Sequence, residues 1–321
     1  MPEIWLSIIA LCYNHERFVK ECLQSVFTQN YPFIELLIVD DASTDQSVKI
    51  IEQWIQNVPN DSFFKKNIKF YKIQENIGNC KAFNLAFRNA KGKYIIDLAT
   101  DDILSENQIF RQIQTFETQA QDVGIVFSNA YLISEKSEMI GQHFKEKDTK
   151  NIPNGLIYKY LIEKSFISAP SMIIRKKVLE ELNGYDENLS YEDYDFWIRS
   201  SRNWKYYFLN EILVKKRVLS NSHGKTFYMK NNPHLKSTLK VCKKAFLLNQ
   251  NQEEHLALAV SVRYHARLSL FTSHFDLVLE FAELLKKLDK LTLKDKICIF
   301  LAKIHFPVNL FYDFYRKIRN K

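Results

Sequence analysis

Ile34-Glu35-Leu36-Leu37-Ile38-Val39 runs directly into Asp40-Asp41-Ala42-Ser43-Thr44-Asp45. A short, branched, apolar run closed by turn residues reads as a strand buried on both faces. Carboxylates just past such a strand lie at a sheet rim, where open α/β sheets take their ligands. The construction recurs: Leu6–Leu11 leads to Cys12-Tyr13-Asn14, and Tyr94–Leu98 to Ala99-Thr100-Asp101-Asp102. Ile68–Ile73 and Gly124–Ile133 read as further strands. Helical spacing fills the gaps over 15–29, after Ser43-Thr44-Asp45-Gln46 (which has capping-box form), over 80–91, and from Ser105 to about 120. The alternation βαβαβαβαβ predicts a parallel, doubly wound sheet. Right-handed crossovers then bring Asn14, Asp40, Asp41, Asp101 and Asp102 to one rim.

Beyond residue 134 the pattern loosens. Ser171–Arg175 reads as a strand, 192–203 as a helix, and 205–218 as a hairpin around Asn210-Glu211. From Pro233 onward everything is helical, with Leu256, Ala259, Val260, Tyr264, Leu268 and Phe271 as one apolar stripe. The expected division is a catalytic domain over 1–226 and a basic helical region over 227–321, with Phe227–Pro233 as linker. The 321 residues are 46% hydrophobic with only seven Gly and seven Pro, ample for a core and unlike a disordered chain. Five scattered cysteines, Cys12, Cys22, Cys80, Cys242 and Cys298, lack metal-binding spacing and read as buried reduced thiols. The start, Met1-Pro2-Glu3-Ile4, has no signal-peptide form, so a cytoplasmic setting is expected. The net charge is +8 and the pI about 9.0. Residues 281–321 hold ten Lys/Arg against four Asp/Glu, so most of that excess is local. Nucleic acid is not an expected partner, because net charge alone specifies none and no basic–aromatic binding motif is present.

The acidic motifs carry the chemistry. Asp101 and Asp102 suit a hard divalent cation shared with a phosphorylated ligand, or else simply open the next helix. Asp40 and Asp41 can accept from a nucleotide base or ribose, or form a turn. Glu192, Asp193 and Asp195 open a helix beside Trp197. There a carboxylate is either a general base or a favourable helix-end charge. His223 in its polar loop is a candidate late metal ligand or diphosphate contact, or else a plain surface residue. Arg217, with Lys215 and Lys216, is positioned to neutralise phosphate, or is a charged strand edge. Lys81 reads as solvated or as support to the site, and His15 and His305 as plain residues.

Read in order, these stretches resemble family 2 glycosyltransferases. The likeness runs through Ser7–Val19, Leu23–Tyr31, Glu35–Asp45, Glu75-Asn76-Ile77-Gly78, Gly92–Ile95 and Tyr191–Trp197, over about residues 4–220. It implies an α/β GT-A (nucleotide-diphospho-sugar transferase) fold, a Rossmann-like mixed sheet with a C-terminal helical extension. It implies an inverting transfer from a nucleotide-sugar donor, with UDP the default, and Mn2+ or Mg2+ as cofactor. By the same resemblance Tyr13 and Asp41 hold the nucleobase, with Leu11, Asn14, Asn76 and Gly78 around the nucleotide and Asp40 beside them. Asp101 lies near the ribose and donor sugar, and Asp102 is the metal ligand. Asp193 is the catalytic base, with Glu192 and Trp197 in support. Three positions depart from the family pattern: Ala99 replaces a frequent Asp, Phe83 a frequent Arg, and Leu219 a frequent His. A degenerate, non-catalytic sugar-nucleotide binder is the rival reading.

The tail alternates Lys286, Lys287, Lys290, Lys294, Lys296, Lys303, Arg316, Lys317 and Arg319 with apolar residues. Such a pattern either lies on an anionic membrane face or packs inward with a solvated basic side. The first option fits a glycan acceptor on a polyprenyl lipid, with peripheral attachment at the inner face of the plasma membrane and a role in O-antigen, capsule or other surface-polysaccharide synthesis.

Overall fold

The computed structural model describes residues 5–60, 62–219, 227–230 and 232–308. The chain begins β1 (Leu6–Cys12), α1 (Val19–Phe27), β2 (Ile34–Asp40), α2 (Ser47–Asn57), α3 (Phe63–Lys66), β3 (Ile68–Lys72), α4 (Asn79–Phe87) and β4 (Tyr94–Ala99). It continues β5 (Ile103–Leu104), α5 (Gln108–Thr118), β6 (Val123–Ile133), β7 (Met139–Gln142), α6 (Glu146–Thr149), α7 (Tyr158–Glu163), β8 (Met172–Arg175) and α8 (Lys176–Glu181). It ends α9 (Asp193–Ser200), β9 (Lys205–Arg217), α10 (His234–Leu248), α11 (Gln252–Phe271), α12 (Phe275–Leu288) and α13 (Leu293–Lys303). Two compact units result. One holds residues 1–157, 167–187 and 203–219; the other holds 158–166, 188–202 and 220–321. The second unit therefore takes in α7 and α9 as well as the C-terminal helices.

All strands among the described residues belong to the first unit, in the order β3-β2-β1-β4-β8-β6-β9-β5, with β7 on β6. The half β3-β2-β1-β4 is parallel. β1 and β2 are buried throughout, as their continuous apolar runs require. Glu35 is tolerated inside β2 because its carboxylate accepts from Ser7 Oγ (2.6 Å) and from the Lys91 N–H (2.8 Å). Gly92 packs against this point, where a Cβ would run into the Ser7 backbone.

Past β4 the sheet departs from the all-parallel expectation. β8 inserts between β4 and β6, antiparallel to both, giving the mixed sheet of the resemblance. The expected hairpin over 205–218 is one strand instead. Its register on β6 jumps from Leu209 to Ile212, so Asn210 and Glu211 bulge out, and Glu211 is held by Arg111. Turn-forming residues here make a bulge because β9 has β6 to pair with on both sides of it.

The second unit is helical. α12 buries Val278, Phe281, Ala282, Leu284, Leu285 and Leu288. α11 buries Ala257, Leu258, Ala259, Val262, Ala266, Leu268 and Leu270, so the expected stripe is only partly internal: Leu256, Val260 and Tyr264 are exposed. The described part of the expected linker is a folded cap. Asn232 Oδ1 accepts from the His234 and Leu235 N–H groups (3.1 and 3.2 Å), and Phe227 stacks on His234. No helix among the described residues is long and apolar enough to cross a membrane.

Candidate active site

β1, β2 and β4 end level with one another: Cys12 pairs with Asp40, and Leu11 with Ala99. The loops beyond are laced together. The Asp41 N–H donates to Cys12 O (2.9 Å) and the Thr100 N–H to Leu11 O (3.0 Å). Asn14 turns the chain at φ 56, its N–H on Ser43 Oγ (2.8 Å) and its Oδ1 accepting the Thr44 N–H (2.8 Å). The expected capping box at Ser43–Gln46 does not form, because Ser43 serves Asn14. α2 begins instead at Ser47, whose N–H is met by Asp45 Oδ1 at 2.9 Å.

Asp40 and Asp41 do different work. Asp40 Oδ1 accepts the Ser43 N–H (2.9 Å), while its Oδ2 is buried with no hydrogen-bond partner among the described residues. Between Asp41 and Ser43, Ala42 sits at φ 62, a strained conformation for a side chain. The Asp41 carboxylate grips the Asn76–Gly78 loop, accepting the Ile77 N–H (2.8 Å) and the Gly78 N–H (2.9 Å). Asn76 Nδ2 returns a bond to Asp41 O (3.2 Å). Gly78 adopts φ 83 as it opens α4, a backbone state suited to glycine. Tyr13 projects, nearly half exposed, and Leu11 is buried in β1. Lys81 is exposed on α4.

Asp101 and Asp102 do not open a helix. A turn closed by the Asp102 N–H on Ala99 O (3.0 Å) leads into β5, which pairs with β9, and α5 starts only at Gln108. Asp102 is buried, and its Oδ1 accepts the Arg217 N–H (2.8 Å). Burial first, and then neighbouring Asp101, push its carboxyl well above the ordinary range. A buried acid repelled by a second acid is the electrostatic condition that a cation relieves. No group of three or more His, Cys, Asp or Glu among the described residues forms a ready cage. Asp101 and Asp102 supply oxygen donors of the kind that suits a hard cation shared with ligand phosphates.

Arg217 is a fastener, not a free phosphate contact. Its side chain is buried and donates to Asp101 O (2.9 Å), Ser134 O (2.9 Å), Ser137 Oγ (3.0 Å) and Glu21 (2.9 Å), with its head over the Phe18 ring. His15, read as a plain residue, belongs to this rim. Its Nδ1 meets Thr100 Oγ1 at 2.9 Å, and burial lowers its pKa against the pull of Asp101, Asp45 and Asp40. Its adjacency to Tyr13-Asn14 was the available signal. Cys12 and Cys22, beneath the rim, are held protonated by burial, Cys12 up to about 11.

The first unit thus gathers Tyr13, Asn14, His15, Asp40, Asp41, Asn76, Gly78, Asp101, Asp102 and Arg217 around its strand ends. Glu192, Asp193 and Trp197 belong to the second unit. Asp193 is the first residue of α9, its Oδ1 accepting the Tyr194 N–H (2.6 Å), with Trp197 buried one turn on. Asp195 is set apart from these, its carboxylate buried between Arg199 and Lys244 at 2.6 Å each. Tyr191 is anchored by its hydroxyl to Thr238 (2.7 Å). His223 lies outside the described residues.

The fold is that of GT-A glycosyltransferases. The first 349 residues of Staphylococcus aureus TarS, solved with UDP-GlcNAc, superpose with a TM-score of 0.71 at 19% identity over 95% of this chain and 89% of that one. The mannosyltransferase PcManGT of Pyrobaculum calidifontis, solved with GDP-Man and Mn2+, gives 0.59 at 14% identity over 96% and 87%. In sequence, the glycosyltransferase MJ1057 of Methanocaldococcus jannaschii is 31% identical over 222 residues, 68% of this chain and 72% of its own length. RT0329 of Rickettsia typhi is 31% identical over 215 residues, 66% of this chain and 64% of its own, a little under two thirds. The profile described as Glycosyl transferase family 2 matches residues 7–182, more than half of the chain. By that match and by its relatives, the chain belongs to glycosyl transferase family 2.

Proposed function

We propose that this chain transfers one sugar, with inversion, from a nucleotide-diphosphate donor to a hydroxyl of a lipid-linked glycan acceptor. The setting we propose is cell-surface polysaccharide synthesis at the cytoplasmic face of the membrane. Asp41 and Tyr13 would take the nucleobase, with Leu11, Asn14, Asn76 and Gly78 shaping its seat. Asp101 would face the ribose and donor sugar. Asp102, with His223 as a further donor, would hold Mn2+ or Mg2+, whose chemistry there is to offset charge on a departing diphosphate. Asp193 would accept the proton of the acceptor hydroxyl as that oxygen bonds to the anomeric carbon and the nucleoside diphosphate leaves. Glu192 and Trp197 would orient α9 for that task, and Lys81 would lend charge at the mouth of the nucleotide seat.

The observation that supports this reading best is the paired work of the rim acids. Asp41 orders the Asn76–Gly78 loop, while Asp102 is buried beside Asp101 without full compensation. TarS with UDP-GlcNAc and PcManGT with GDP-Man and Mn2+ favour a nucleotide-sugar donor. Thermal-shift titration with UDP-, GDP- and dTDP-sugars, with and without Mn2+, tests it. One nucleotide class should stabilise the protein in a Mn2+-dependent way, and Asp102→Asn should remove that dependence. Asp193→Asn should keep donor binding and lose at least about 100-fold in donor turnover, the scale of general-base catalysis. Equal turnover in wild type and Asp193→Asn would take the base role from Asp193, and no turnover in the wild type would leave a sugar-nucleotide binder instead.

A further inference from the structure

The last helix among the described residues, α13 of the second unit, turns an apolar face outward. α13 is tied into the unit by Asp295, Cys298 and Ala302, all buried, and by a capping box at Thr292. Its opposite side carries Leu293, Ile297, Phe300 and Ile304, spaced four, three and four apart, which is one line along a helix. They are 74%, 51%, 60% and 53% exposed, and Phe306 continues the patch. The preceding helix behaves oppositely: six of its apolar residues are buried, and Phe275, Leu277 and Leu279 are half-buried, with none exposed. Packing inward therefore accounts for α12 and leaves α13 unexplained.

Charge says what covers it. On the helical wheel Lys296 and Lys303 border the line on one side and Lys294 on the other, all exposed, with exposed Lys287 and Lys290 just upstream. None of these five lysines makes an ion pair among the described residues. The nearby acids are already engaged: Asp289 and Asp295 by Arg263 (2.8 and 3.0 Å), and Glu283 by Lys286 (2.6 Å). A second copy would set lysine rows against lysine rows. An anionic lipid surface meets both needs, taking the apolar line into the acyl boundary and the lysines against the headgroups.

We propose that the Leu293–Phe306 face is a docking surface for anionic lipid bilayers. It deepens the reading of the acceptor as lipid-borne, and its test needs neither donor nor acceptor. Full-length protein should co-sediment with vesicles of 70% phosphatidylcholine and 30% phosphatidylglycerol at least about tenfold more strongly than with phosphatidylcholine alone, and added salt should weaken it. Phe300→Ser with Ile304→Ser should reduce that binding at least about tenfold, with an unchanged thermal melt. Lys294→Gln, Lys296→Gln and Lys303→Gln should each weaken it about fivefold on anionic vesicles only. In Phe300→Trp, the new fluorophore should shift to the blue with vesicles. Absent binding, or binding indifferent to the double serine change, would overturn the proposal. So would a dimer that the serine changes dissolve, or binding that appears only when residues 309–321 are removed.

Discussion

Arg217 offers the sharpest test of how the rim is built. Replacing it with Ala keeps the backbone bond from residue 217 to Asp102 but removes every side-chain donor. The Asp101 and Ser134 carbonyls lose partners, at ~1–3 kcal/mol each where water cannot replace them. The Glu21 pair adds little, at most ~1 kcal/mol, because that carboxylate is about half exposed. The stacking over Phe18 at 4.6 Å contributes ~0.5–2 kcal/mol. These terms overlap, so a loss of ~3–5 kcal/mol is expected for Arg217→Ala, and about half of that for Arg217→Lys, which keeps the charge but not the fork. Urea unfolding followed by circular dichroism measures it, with donor KM taken well below the melting temperature. The reasoning fails if Arg217→Ala loses under ~1 kcal/mol while donor KM rises tenfold or more, because that pattern belongs to a phosphate contact.

Two further outcomes follow from local geometry. Ala42→Gly should raise stability by ~0.5–1 kcal/mol, because relief of the left-handed strain at φ 62 exceeds the added chain entropy; a lower urea midpoint would contradict this. In the second unit, burial holds His265 down to about 4. The unfolded chain binds that proton below about 6.5, and the folded chain refuses it until near 4, so stability present above pH 6.5 is lost as pH falls across that window, by at most ~3 kcal/mol. Melting curves from pH 7 to 4.5 should show a steeper loss in wild type than in His265→Gln, which leaves only the smaller share from other buried groups such as His15; matching slopes would refute it.

The parallel half of the sheet was legible because strands buried on both faces must be apolar nearly throughout, and β1, β2 and β4 are, with Ser7, Glu35 and Asp97 as their internal exceptions. The rim acids followed from the strand ends. What was hidden depends on distant partners. Ser171–Arg175 reads as a strand, but nothing local says that it slots between β4 and β6. Asn210-Glu211 has turn character, and only pairing with β6 on both sides makes it a bulge. Asp101-Asp102 resembles a helix start until β9 arrives to pair Ile103 and Leu104. Arg217 reads as a phosphate ligand because burial and donor use depend on Glu21, Asp101 and Ser134, each at least 80 residues away. Leu256 and Val260 show the limit of periodicity: α11 is apolar enough to present more than one face, and only the surrounding helices decide which is covered.

The late insertion of β8 bears on how the molecule is made. Until residues 172–175 leave the ribosome, β4 and β6 both present unpaired edges, and exposed edges recruit other chains. At synthesis rates of ~5–20 residues per second, the stretch from Ile133 to Met172 leaves that gap open for seconds. Truncated forms ending before Arg175 should therefore aggregate even though they contain every rim acid of the parallel half, and chaperone demand during biogenesis should peak over that interval.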